Sequence, residues 1–249
     1  MTWASKRQTI ILGAIVIAII IILIPIVKPI VAPTATCFDG KKNGSELGVD
    51  CGGPCSKACS FEVSKVNILW ALSFKVADGV YSAVTYVSNP NASFEAQNVP
   101  YTMKLYDDKN ILVAERRSTI DIPAKSALPI FEGDIAVGKL IVKRVSFEFT
   151  GEPNWRRTDK GTPQIDISSP IVDNSGSAPK VTATIKNSTG NPIKNLPLVV
   201  IVYDENGNAM AASRTIVDFL AKNESTDASF TWLSPFSGTE SRVEIYPEF

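Results

Sequence analysis

Four cysteines fall within one short stretch, Cys37, Cys51, Cys55 and Cys59, in the spacing C-x13-C-x3-C-x3-C. Sulfur in such a cluster can close two disulfides, or it can hold a zinc ion as four thiolates. Structural zinc sites favour shorter paired spacings and need reduced thiols. A segment as short as 37–59 cannot own an apolar core and calls for cross-links. The expectation is two disulfides, with all three pairings open. Hard oxygen ligands sit in the same segment: Asp39, Asn43, Glu46 and Asp50. With Asp39 as the first position of a calcium loop, Asn43 is fifth, Gly44 sixth and Asp50 twelfth. Lys41 and Leu47 stand at ligand positions, however, and helical flanks are missing. The competing reading, which the spacing favours, is that these side chains cap turns of their own backbone. Calcium is the only cofactor the sequence nominates.

Other chemistry is sparse. The chain has no histidine, which removes imidazole bases, Ser-His-Asp triads and HExxH metal sites. No G-x-S-x-G elbow, Walker loop or dinucleotide fingerprint occurs, and nothing nominates a pair of carboxylates facing one cleft. No catalytic residue and no enzyme is expected. Lys plus Arg and Asp plus Glu are 25 each, so no net field recruits nucleic acid. Trp70, Trp155 and Trp232 are candidate ligand platforms, with burial in a core as the competing reading. Trp155, Arg156 and Arg157 lie in the polar, turn-rich stretch 151–163, which reads as a linker. They form the expected interdomain binding candidate, and Arg156 and Arg157 with Lys160, Lys143 and Arg144 offer a basic patch to an anionic glycan or teichoic-type polymer. A solvated charged face is the alternative. Asn43, Asn91, Asn187 and Asn223 each begin an Asn-x-Ser/Thr triplet.

The elements that carry these residues begin with an uncharged apolar run over 9–27, long enough at ~1.5 Å per residue to approach the ~30 Å hydrocarbon layer. Lys6 and Arg7 precede it and Lys28 comes after it, which places the N-terminus (1–8) in the cytoplasm and the rest outside. A cleaved signal peptide would have a shorter apolar core and a clearer cleavage site. The expectation is a single-pass anchor in the plasma membrane, then an extended stalk over 28–36 and the cysteine module over 37–59. From residue 60 onward, runs of Val, Ile, Tyr, Phe and Thr alternate with Asn, Asp, Gly and Pro clusters, the signature of strands and turns.

That β region repeats itself. NVPYTMKLYD (98–107) matches NLPLVVIVYD (195–204), VTYVSN (84–89) matches TATIKN (182–187), and Arg117 matches Arg214 at the same offset. In the first copy Tyr101, Met103 and Leu105 alternate with Thr102, Lys104 and Tyr106, a half-buried strand. The second copy is apolar on both faces, so more of it must be covered. Two copies of one unit are expected, over 60–158 and 162–249.

VSNPN (87–91) followed by YTMKLYD (101–107), with VYDENGN (202–208) in the second copy, resembles the FxLYD and LEA-like (WHy-type) β-sandwich domains. The cysteine segment is similar to a small DG…GVDCGGxC module of bacterial surface proteins, and the whole layout resembles membrane-anchored envelope proteins of small uncultivated bacteria. The resemblance implies two tandem Ig-like antiparallel β-sandwiches, an all-β ectodomain behind one transmembrane helix and a disulfide-rich module. It implies a structural, adhesive or protein-binding envelope function with an envelope protein or glycan as partner. An accessory or receptor subunit of a membrane complex is the alternative, and a polysaccharide-active enzyme a further one.

Overall fold

A computed structural model describes residues 3–31, 36–159, 164–176 and 178–248. The chain divides into two compact bodies, Met1–Cys55 and Ser56–Phe249.

The first body opens with helix α1, Trp3–Val31. It runs past the end expected at residue 27 and through the first residues assigned to the stalk, because an interior proline such as Pro25 or Pro29 removes one backbone hydrogen bond rather than the whole ladder. The remaining expected stalk, 32–35, lies outside the described residues. Side chains of α1 are described without a break only over 10–25, about 24 Å of helical rise. Among the described residues no helix is long and apolar enough to cross a membrane. The rest of this body is a set of turns closed by a disulfide between Cys37 and Cys55. Cys51 and Cys59 are disulfide-bonded as well, and no described cysteine is free. Gly53 shows how tightly the turns fold: its φ is +59°, and an added Cβ would lie 2.1 Å from the carbonyl oxygen of Ser45.

The second body is built of antiparallel sheets. Strands β1 (Asn67–Ala77), β2 (Val80–Ser88) and β5 (Ala127–Ala136) form one sheet in the order β1-β2-β5. A second, β4-β3-β6, joins β3 (Phe94–Tyr106) to β4 (Leu112–Ile122) and β6 (Arg144–Phe149), with β7 (Trp155–Arg157) also on β3. The later half repeats the plan. Strands β8 (Ile165–Ile167), β9 (Ile171–Asp173), β10 (Lys180–Asn187) and β13 (Ser225–Thr231) form one sheet, in which β8, β9 and β13 all pair with β10. Strands β11 (Ile193–Asp204), β12 (Ala209–Leu220) and β14 (Glu240–Pro247) form the other, in the order β12-β11-β14. Each sheet takes strands from one half only.

The register of the repeat is kept. Thr102 pairs with Arg117 and Val199 with Arg214, at matching places on β3–β4 and β11–β12. Tyr106 pairs with Arg144 and Tyr203 with Arg242, and each guanidinium lies about 4 Å from its tyrosine ring, at 4.1 and 4.0 Å. The alternation explains the cores. Tyr101, Met103 and Leu105 of β3 meet Ala83, Val87 and Ile130 in the first half. Leu196, Leu198 and Val200 of β11 meet Val181, Ile185 and Phe230 in the second.

A third core joins the halves. Val199, Ile201 and Tyr203, on the outer face of β11, pack with Ala212 against Val84 and the partly buried Trp70, Phe74, Tyr86 and Phe131. The sheet β12-β11-β14 therefore lies face to face on β1-β2-β5. This is the covering layer that a strand apolar on both faces requires.

The expectation for 151–163 changes. The segment is not all linker: Trp155, Arg156 and Arg157 form β7, opposite Ala96, Glu95 and Phe94. Residues 160–163 lie outside the described residues. The end of the cysteine segment also enters this body. Ser56 O accepts from Arg157 N at 2.7 Å and Ala58 N donates to Trp155 O at 3.0 Å, so 56–58 extends the pairing beyond β7.

Candidate functional site

The carboxylates of the cysteine segment bond the turns around them, while Asn43 Oδ1 is buried without a hydrogen-bond partner among the described residues. Asp50 accepts the N–H groups of Asp39 at 3.0 Å and Gly40 at 2.9 Å. Asp39 accepts Lys41 N–H at 2.9 Å and the Asn43 amide at 2.7 Å, and these bonds hold its carboxyl below the usual range, Asn43 contributing most. Glu46, buried, accepts Asn43 N–H at 3.1 Å. The carboxylates are thus engaged as turn caps. Among the described residues, the one group of three candidate metal-ligand atoms is Cys37, Glu46 and Cys55. Two of these are disulfide sulfurs, which offer no thiolate.

Trp155 is not at the junction of the halves. It packs with Ala96, Val99, Ile122 and Phe149, all of the first half, because pairing of β7 with β3 turns the ring into that satellite core. Arg157 bonds Glu62 at 3.1 Å and lies over the Phe94 ring, while the Arg156 side chain is exposed. The triplet asparagines Asn91 and Asn187 are buried and fully engaged, so neither can carry a glycan.

The junction is the richer site; of its residues the sequence singled out Trp70 and Trp232 as ligand platforms and Arg214 only as a repeat match. Two neighbouring clefts open along it, sharing Val76, Ala212 and Trp232. The larger holds about 500 Å³ and is lined by Ser82, Phe131, Asp134, Arg214 and Thr231 among others. The smaller, about 280 Å³, adds Phe74, Met210, Leu233 and Phe236. Trp232 stacks edge-on to Phe236 at 5.0 Å, and its indole N–H donates to Ala212 O at 3.3 Å. Ser82, on the outer face of β2, is 2% exposed, and its Oγ has no hydrogen-bond partner among the described residues.

Charged groups border the larger cleft. Arg214 lies over Phe131 at 5.4 Å and 4.0 Å from Glu248. Burial pushes the Glu248 carboxyl up to about 7; nearby Arg214 pulls it down and Glu132 pushes it further up. Glu132 accepts the Tyr101 hydroxyl at 2.6 Å, and burial followed by this bond raises that phenol. Elsewhere along the junction Trp70 stacks on Tyr86 at 5.4 Å, Tyr86 bonds Tyr246 at 3.1 Å, and the Tyr246 hydroxyl donates to Glu244. Aromatic faces, hydroxyls and a partly compensated guanidinium are groups that bind a polar ligand.

No protein-family model matches the chain, and no curated protein matches it. Among solved structures, it resembles a red sea bream transglutaminase at 10% identity and TM-score 0.27, over 75% of this chain and 29% of that one. A β-glucuronidase from Ruminococcus gnavus is similar at 12% identity and TM-score 0.17, over 69% and 36%. The tandem CBM22 domains of Paenibacillus barcinonensis Xyn10C are similar at 13% identity and TM-score 0.13, over 74% and 83%. The chain spans about a third of the first two. At these scores the likenesses carry no argument.

Proposed function

We propose that the chain is a single-pass membrane protein of the cell envelope whose outward part, two tandem Ig-like sandwiches of the FxLYD/LEA-like kind, is a binding or adhesive module and not an enzyme. Support for the anchor comes from α1. Every described side chain over 10–25 is exposed and the run is uncharged, an apolar cylinder that water does not tolerate. The sequence extends it to 9–27, enough to reach across the hydrocarbon layer. Oxidised cysteines fit an extracytoplasmic location for the cysteine segment and the sheets beyond it.

The observation that carries the binding reading is the junction. Two copies of one unit are fused face to face, and the seam leaves a cleft lined by Phe131, Trp232, Arg214 and Ser82. Its partner is an envelope protein or glycan able to meet an aromatic face and a guanidinium. To test it, the full chain in detergent is immobilised and presented with solubilised envelope protein and, separately, envelope polysaccharide. One of these is retained and is lost from Arg214→Ala and Ser82→Val variants that still bury the junction. Equal retention by the wild type and both variants contradicts the reading.

A further inference from the structure

We propose that the end of the first copy formed by the β3–β4 turn and the β5–β6 loop docks on an anionic lipid surface. Three connections meet there. Val137 N donates to Gly79 O at 2.8 Å, Lys143 N to Tyr106 O at 2.8 Å, and Arg144 Nη2 to Asn110 Oδ1 at 2.6 Å. From this end project Ile111, Leu112, Leu140 and Ile141, exposed by 58, 47, 51 and 60%.

The repeat supplies an internal control for what these side chains do. In the first copy Asp107 accepts the N–H groups of Lys109 and Ile111, and Asn110 takes φ +62°. In the second, Asp204 accepts those of Asn206 and Asn208, and Gly207 takes φ +79°. The turn is the same, yet Ile111 and Leu112 stand where the second copy has Asn208 and Ala209. Counting back from Arg144 and Arg242, Leu140 and Ile141 stand where it has Gly238 and Thr239. Four exposed aliphatic side chains are thus not a requirement of the fold, and each costs free energy in water.

Charge decides what covers them. Lys109, Lys139, Lys143 and Arg144 surround the first tip against Asp107 and Asp108, and the Asp107 carboxylate is held by the turn. Lys75 and Asp78 on the neighbouring β1–β2 turn pair with each other. At the second tip the balance reverses, with Asp204, Glu205 and Glu240 against Arg242. Aliphatic side chains ringed by cations match a bilayer whose headgroups are anionic: the chains enter the headgroup boundary while lysines meet phosphates. The docking test holds the chain in its own vesicle through α1 and so rests on the anchor proposed above.

The test uses the full chain in phosphatidylcholine vesicles, with an environment-sensitive fluorophore on Leu140→Cys, or on Asn206→Cys as the control tip; no described native cysteine is free to compete. Acceptor vesicles containing phosphatidylglycerol shift the 140 label to the blue and leave the 206 label unchanged, while pure phosphatidylcholine acceptors shift neither. Unlabelled Ile111→Asn/Leu112→Ala, which borrows residues the same turn accepts in the second copy, and Leu140→Asp/Ile141→Asp each lower docking by about tenfold or more. An equal shift with neutral acceptors, a shift at 206, or undiminished docking by both variants overturns the proposal. A shift on adding polyglutamate without acceptor vesicles assigns the tip to acidic polymers and also overturns it.

Discussion

The residue that repeats most faithfully is an asparagine at the end of β2 and β10. Asn89 donates to Phe94 O and Pro123 O at 2.9 and 2.8 Å, while its oxygen accepts from the backbone and amide of Asn91. Asn187 donates to Asn191 O, Leu220 O and Ala221 O, and its oxygen accepts from Thr189. Both are buried, at 1 and 0% exposure, so removing either leaves several buried groups unpaired. Asn89→Ala and Asn187→Ala should each destabilise the second body by about 2–3 kcal/mol, read from the denaturant midpoint; a loss under about 0.5 kcal/mol would contradict this. The sequence displayed the motif as NPN in one copy and NST in the other, and the shared first asparagine is the part that matters. Glu248 ties the stability of this body to pH. Its carboxyl is raised in the folded chain, to about 7, so it contributes stability fully below its unfolded value and loses it as pH rises through 7. Between pH 5 and 8 the wild type should lose on the order of 1–3 kcal/mol that Glu248→Gln keeps. Parallel pH profiles for the two proteins would contradict the assignment.

At the scale of elements, β3 and β11 share a pattern inward and differ outward. Thr102, Lys104 and Tyr106 of β3 correspond to Val199, Ile201 and Tyr203 of β11. Lysine at 104, partly exposed, bonds Glu148 at 2.7 Å, whereas Ile201 is fully buried against the other half. Ile201→Lys, which writes the first copy's residue into the second, places a charge in the junction core. It should cost about 3–5 kcal/mol and split one unfolding transition into two, the halves melting separately. A single unshifted transition would show that the junction contributes little. The strands themselves were legible because alternation and Asn, Asp and Gly turns state them locally. The environment of Arg214 was not. It matches Arg117 in register, but Arg117 is exposed beside Glu115 while Arg214 borders the covering sheet, a difference only tertiary packing creates. Trp155 misled for the same reason, since a short strand such as β7 has no periodicity to read.

For the molecule as a whole, the doubled apolar pattern of 198–203 already demanded a second covering layer, but nothing local said which surface supplies it. That layer is the first copy, and the seam it makes holds the cleft. The proposed function puts this fused body outside the membrane. The most direct measurement introduces Asn206→Cys into the full chain, at an exposed hairpin tip, and treats intact cells with a membrane-impermeant maleimide of several kilodaltons before washing membranes at alkaline pH. An anchored, outward-facing body predicts that the chain is labelled in intact cells and stays in the washed membrane pellet. Labelling only after lysis, or release of the labelled chain into the alkaline supernatant, would contradict it.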